Sequence, residues 1–149
     1  MIKGLYETHL YVTDLHLSIN FYTQILGLEL AHTEPDRKVA FFWIGEPKQS
    51  MLGLWEKPEK EVVPSHFAFE TSPEYVLHEA ADFLKSKGLK GYNFFKDGSD
   101  IPMVFAWVPA VAIYFKDPDG HALEFIGRLN GPSRPELGVI SYGKWINSL

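Results

Sequence analysis

The spacing of apolar residues along the chain switches between the two-residue step of a strand and the three- to four-residue step of a helix, and it does so twice. Thr8–Val12 reads as a short strand. Asp14 then caps a helix in which Leu17, Phe21, Ile25 and Leu28 recur at helical steps, with Gly27 as its stop. Three strands are predicted next, Leu28–Thr33, Lys38–Ile44 and Ser50–Glu56, separated by the turn chemistry of EPDR and GEPK. The stretch EKPEKEVVPS is charged, holds two prolines and has no periodicity, so it reads as a linker.

The same order then returns. His66–Glu70 predicts a strand, Ser72 or Pro73 opens a helix over Glu74–Lys87, and Gly88 stops it. Strand-like segments follow near Lys90–Lys96, Val111–Lys116 and His121–Ile126, the last two joined by the turn signal Asp117-Pro118-Asp119-Gly120. Asp97–Pro109 is apolar but lies between turn signals, and it is predicted as a loop covering a pocket. The tail, residues 130–149, is Gly/Pro-rich and ends in a short apolar segment expected to dock on the surface. THLYV and SHFAF both begin hydroxyl-His-apolar, and both precede a helix ended by Gly-Leu. Each half reads β-α-β-β-β, and neither copy could easily bury its apolar faces alone. The predicted fold class is α+β: two paired βαβββ modules forming a curved mixed sheet with helices outside.

Composition narrows the chemistry. With 46% hydrophobic and 15% aromatic residues, the 149-residue chain can bury a real core, which excludes disorder. A formal net charge of −5 and the lack of a basic stripe argue against nucleic acid as a partner. The absence of cysteine removes disulfides, thiolate nucleophiles and Cys-ligated metals, so any metal must be held by His, Asp or Glu. Neither a signal-like apolar core nor a membrane-length run is present, so no membrane partner is expected and the cytoplasm is the default location.

His9 and His66 hold equivalent places in the two first strands, and Glu124 lies in the last strand of the second half. Alternation puts Glu124 on the face opposite Leu123 and Phe125; if those two face the helices, Glu124 faces the concave side with the histidines. A histidine in a strand is more often an ordinary half-buried residue than a ligand. A carboxylate flanked by Leu and Phe is harder to dismiss, because burying it unpaired costs about several kcal/mol. Two imidazoles and one carboxylate leave a divalent metal with open coordination positions, the arrangement of sites that bind or activate a ligand.

THLYVTDLHLSINFYTQILGLEL, SHFAFE and AIYFKDPDGHALEFIG closely resemble the vicinal oxygen chelate superfamily, which includes glyoxalase I, fosfomycin-resistance enzymes, bleomycin-resistance proteins and extradiol dioxygenases. The resemblance spans roughly residues 4 to 128 and implies one glyoxalase-like domain over residues 1–129, with modules 1–56 and 66–129 and a linker at 57–65. It implies His9, His66 and Glu124 as metal ligands. Aligning LGL at 52–54 with LEF at 123–125 puts Gly53 where glyoxalase I resembles this chain but carries a fourth ligand, a Glu. Glu56 is a substitute only if a bulge reverses its face; the alternative to a lost ligand is that Gly53 merely marks a bulge.

The resemblance implies a metal-dependent lyase, transferase or dioxygenase in which the ion (Zn, Mn, Fe, Ni or Co) chelates vicinal oxygens of a small molecule. Tyr11 and Glu70, each two residues beyond a ligand histidine, are the candidate acid and base. Phe41, Trp43, Gly53, Trp55, Phe105, Trp107 and Tyr114 are candidate pocket walls. A non-catalytic drug-sequestering protein and a fosfomycin-resistance-like thiol transferase, with Lys96 as a surviving cation, are the alternatives. Small members of the superfamily form homodimers, so a homodimer is expected.

Overall fold

A computed structural model describes residues 1–149. The chain divides into two units, Met1–Ser65 with Asp117–His121, and His66–Lys116 with Ala122–Leu149. In the first unit, β1 (Glu7–Val12) leads into α1 (Leu15–Asn20), which continues as a π-helical turn over Phe21–Ile25. The Asp14 carboxylate accepts the Leu17 N–H at 2.9 Å as the expected N-cap, and Gly27 ends the helix at φ 77°. β2 (Glu29–Glu34), β3 (Val39–Ile44) and β4 (Ser50–Glu56) follow close to their predicted bounds. The sheet order is β1-β4-β3-β2, with β1 and β4 parallel and the other pairs antiparallel.

Pairing separates the two faces of this sheet. Leu10, Val12, Phe42, Leu52 and Leu54 are fully or almost fully buried, on the side that packs Phe21 and Tyr22 of the helix. Each such side chain contributes about 1.5–3 kcal/mol by leaving water. His9, Tyr11, Phe41, Trp43, Gly53 and Trp55 occupy the other face, as their register requires. The register of β4 is continuous against both neighbours, so Gly53 marks no bulge; the irregularity lies in β2, between Leu30 and His32.

The second unit repeats this plan and extends it. β5 (His66–Thr71) runs parallel to β8 (Ala122–Arg128), which pairs antiparallel with β7 (Ala110–Lys116). Beyond these stand β6 (Met103–Phe105) and β9 (Val139–Ser141), giving the order β5-β8-β7-β6-β9. The expected α+β class with βαβββ modules is present, each unit carrying its own mixed sheet.

Three expectations are corrected here. Glu74–Lys87 is two helices, α2 (Pro73–His78) and α3 (Ala80–Ser86), because Glu79 leaves helical geometry at φ −127°. Lys90–Lys96 forms only an isolated bridge between Tyr92 and Tyr114, and the third strand of the module is β6, inside the stretch expected to be loop. The apolar run IPMVFAWVP thus satisfies its backbone by pairing on both sides, with Ala110–Ala112 and with Val139–Ser141. The tail does more than dock: β9 extends the sheet, and α4 (Tyr142–Asn147) follows it and buries Trp145. None of the helices is long and apolar enough to cross a membrane.

Candidate metal centre

His66 opens β5 at the edge of its sheet. Its Nδ1 lies 2.8 Å from the carbonyl oxygen of Ala122. A carbonyl can only accept, so Nδ1 donates to it. Its Nε2 stands 3.1 Å from Oε2 of Glu124, close enough for the two to share a proton. Register explains the meeting: Ala122 pairs with His66, and Glu124, two residues on, projects from the same face.

Glu124 is 5% exposed, and burial pushes its carboxyl above the usual carboxylate range, with His66 opposing the rise. A buried carboxyl group beside an imidazole Nε2 suits a divalent cation, which would replace the proton the two share. Both donors are of the right type, and a carbonyl-held Nδ1–H is the support that metal-binding histidines use. Neither unit by itself gathers three His, Asp or Glu side chains around one point.

Tyr114 lies directly across from Glu124 on β7, and its ring is 5.8 Å from that of His66. Burial, then the charge of Glu124, holds the Tyr114 hydroxyl at about 12. Tyr92 stacks on it at 5.5 Å and 20°, and its hydroxyl is raised for the same two reasons. Both phenols therefore keep their protons at neutral pH. With His66, Asn93, Phe94 and Lys96 they border a cavity of about 330 Å³.

His9 in the first unit is held differently. The indole N–H of Trp55 donates to its Nδ1 at 2.8 Å, and Glu7 stands 3.5 Å from its Nε2. Indole cannot accept, so here Nδ1 is bare and Nε2 carries the proton. Gly53 pairs with His9, and the imidazole lies directly over it: a Cβ there would fall 2.5 Å from Nδ1. Glycine is required by this close approach. Counting from the residue paired with each histidine, Trp55 is the counterpart of Glu124 and Gly53 is the counterpart of Ala122. The alignment of Gly53 with Glu124 is thus two residues out of register.

The remaining candidates disperse. Phe41 meets His9 edge-on at 6.0 Å and stacks on His32. Tyr11 shares the face of His9 and is 46% exposed, with Lys57 over its ring. Trp43 lies half-buried on that face, and Glu56 is engaged by Lys38 and the Leu15 N–H. Glu70 shares the face of His66 but is bound to Arg128 at 2.6 Å. Phe105 packs on Phe94, and Trp107 is exposed in the turn after β6. Tyr92 and Asn93 are site residues with no sequence signal, since nothing in KGYNFF announces a bridge to Tyr114.

The Asp117–His121 turn has a structural task in the first unit. Asp117 accepts the Tyr22 hydroxyl at 2.8 Å and the backbone N–H groups of Asp119 and His121. Burial raises the carboxyl of Asp117, and burial followed by the Asp117 charge raises the phenol of Tyr22. Asp119 accepts from the backbone N–H and hydroxyl of Thr13. His121, fully buried, accepts the Ser65 N–H at Nδ1 and gives its Nε2–H to the Tyr11 carbonyl. It is a satisfied core histidine.

Comparison with known proteins identifies the family. Residues 4–125 match the model of the glyoxalase/bleomycin resistance protein/dioxygenase superfamily. An integron cassette protein from the mobile metagenome of the Halifax Harbour sewage outfall is 33% identical, with TM-score 0.71, covering 85% of this chain and 99% of that one. The fosfomycin resistance protein FosX of Listeria monocytogenes, solved with Mn(II) and sulfate, is 25% identical with TM-score 0.64, covering 87% and 93%. Protein YwbC of Bacillus subtilis (strain 168) is 25% identical over 141 residues, 86% of this chain and all of that protein. The chain belongs to the glyoxalase/bleomycin resistance protein/dioxygenase superfamily.

Proposed function

We propose that the protein is a metal-dependent enzyme acting on a small molecule that presents vicinal oxygens to a divalent ion held by His66, Glu124 and His9. The observation that carries this reading is the His66–Glu124 pair, an imidazole Nε2 held 3.1 Å from a buried carboxyl group. When bound, a divalent ion supplies Lewis acidity, which stabilises negative charge on a coordinated oxygen. His66 and Glu124 are ready to act as ligands. For His9 to serve as a ligand through Nδ1, its Trp55 hydrogen bond must be given up.

Tyr114 and Tyr92, held as phenols, donate hydrogen bonds to a substrate oxygen as negative charge grows there. They are better placed for this than Glu70, which is committed to Arg128. Tyr11, two residues beyond His9 and open to solvent, stands as an acid from the first module. Whether the reaction is lyase, transferase or dioxygenase chemistry is decided by the substrate. We further propose a homodimer in the cytoplasm; light scattering should return twice the chain mass.

Mn(II) is the natural probe, since FosX was solved with it. Equilibrium dialysis of the full chain should find one Mn(II) per chain, with His66→Ala and Glu124→Ala each weakening it by at least about tenfold, or about 1.4 kcal/mol. Wild-type protein that takes up no Mn(II), Zn(II), Fe(II), Ni(II) or Co(II) would overturn the enzyme reading and leave a metal-free binding protein.

A further inference from the structure

A second cavity in the same unit, of about 410 Å³, shares Tyr92 and Lys96 with the one at His66. Lys90, Lys96 and Lys116 border it, and no carboxylate does. None of the three forms an ion pair, although the chain carries a net charge of −5. Three unpaired cations around a concavity create a local positive potential, although the chain as a whole is acidic.

The loop that places Lys96 is rigidly built. Asn93 is fully buried; its amide donates to Asp97 at 2.9 Å and Ser99 at 3.0 Å, and its carbonyl accepts the Phe95 N–H at 3.0 Å. Asp97 in turn accepts the N–H and hydroxyl of Ser99. Within this network Lys96 holds a left-handed backbone at φ 50°, a conformation that is strained for a non-glycine residue. Glycine would adopt it freely, yet the position carries a long cation between the two cavities.

We infer that the lysine cavity receives the anionic end of the substrate, whose chelating end reaches His66 and Glu124, so that the substrate is a small oxyacid with a phosphoryl or carboxylate group. The apolar wall given by Leu89 and Tyr92 suits a carbon skeleton joining the two ends. This inference rests on the metal-centre reading for the far end of the substrate, while the anion site is testable without a metal.

The experiment titrates the metal-free full chain with inorganic phosphate, methylphosphonate and succinate by calorimetry, and separately with Mn(II). Wild-type protein should bind at least one of the oxyanions saturably, and Lys90→Gln/Lys116→Gln should weaken that binding by at least about tenfold while leaving Mn(II) affinity unchanged. Both lysines are exposed, so the variant should fold. Lys3→Gln/Lys60→Gln removes the same charge elsewhere and should change affinity less than about twofold. Preference for the phosphorus anions assigns a phosphoryl group, and preference for succinate a carboxylate. No saturable binding, or equal loss in both double variants, would overturn the inference. Lysine-dependent oxyanion binding without Mn(II) binding would uphold the anion site and overturn the metal reading.

Discussion

The two modules start their first strands alike, yet they hold their histidines in opposite states. His66 gives its Nδ1–H to a backbone carbonyl and turns its Nε2 to a buried acid. His9 accepts an indole N–H at Nδ1 and turns a protonated Nε2 toward Glu7. The difference comes from one register position, two residues beyond the partner of each histidine, which holds Glu124 in the second module and Trp55 in the first. A ligand pair in one module faces an aromatic setting in the other, where Arg37 lies over Trp55 at 5.3 Å. Backbone duplication therefore does not make the two half-sites chemical equals; side chains at matched positions decide which half is prepared for a cation.

Exchanging the register residues should break this contrast most severely. Glu124→Trp removes the acid and overfills a buried position, so it should abolish divalent-metal uptake and destabilise the fold by about 1–3 kcal/mol, read by dialysis and by urea denaturation. The residues paired with the histidines come next. Gly53→Ala drives a Cβ into the His9 ring and should cost about 1–3 kcal/mol. Ala122→Gly in the equivalent place should cost only about 0.5–1 kcal/mol. Equal costs in denaturation would erase the asymmetry.

Glu124→Gln sharpens the comparison through pH. The folded carboxyl titrates above its unfolded value, so its contribution to stability is fully present below the unfolded range and is lost as pH rises through the folded one. At pH 7 the metal-free Gln variant should therefore melt higher than wild type, by about 2–4 °C for each kcal/mol of burial cost relieved. Metal affinity of the wild type should rise with pH over the same window, because the ion displaces the proton. The smallest effect is expected of Trp55→Phe, about 0.5–1.5 kcal/mol for one hydrogen bond, with the His9 imidazole nitrogens changing their NMR shifts and those of His66 unmoved.

The strands of the first module could be read almost to the residue, because apolar alternation and turn chemistry agree there. The equivalence of His9 and His66 was legible for the same reason. The role of Gly53 was not, since a short motif aligned by similarity carries no register; only pairing with His9 shows that the ring needs the space. β6 was hidden because nearly every residue from Ile101 to Pro109 is apolar, which removes the period that separates strand from buried loop. The burial of His121 was not legible because its two hydrogen-bond partners, Tyr11 and Ser65, lie far away in sequence. Tyr92 came to the site through a single bridge, a contact that local pattern cannot encode.

The most direct test of the metal centre is imidazole nitrogen NMR of the full chain, labelled with ¹⁵N-histidine, before and after one equivalent of Zn(II). Before metal, His66 should show a protonated Nδ1, and His9 a bare one. Zn(II) should then shift the His66 Nε2 resonance and perturb His9, leaving the exposed His16 and His78 unmoved. A His66 signal that does not respond, or a response confined to His16 and His78, would contradict the assignment of His66 and Glu124 as the prepared half of the site.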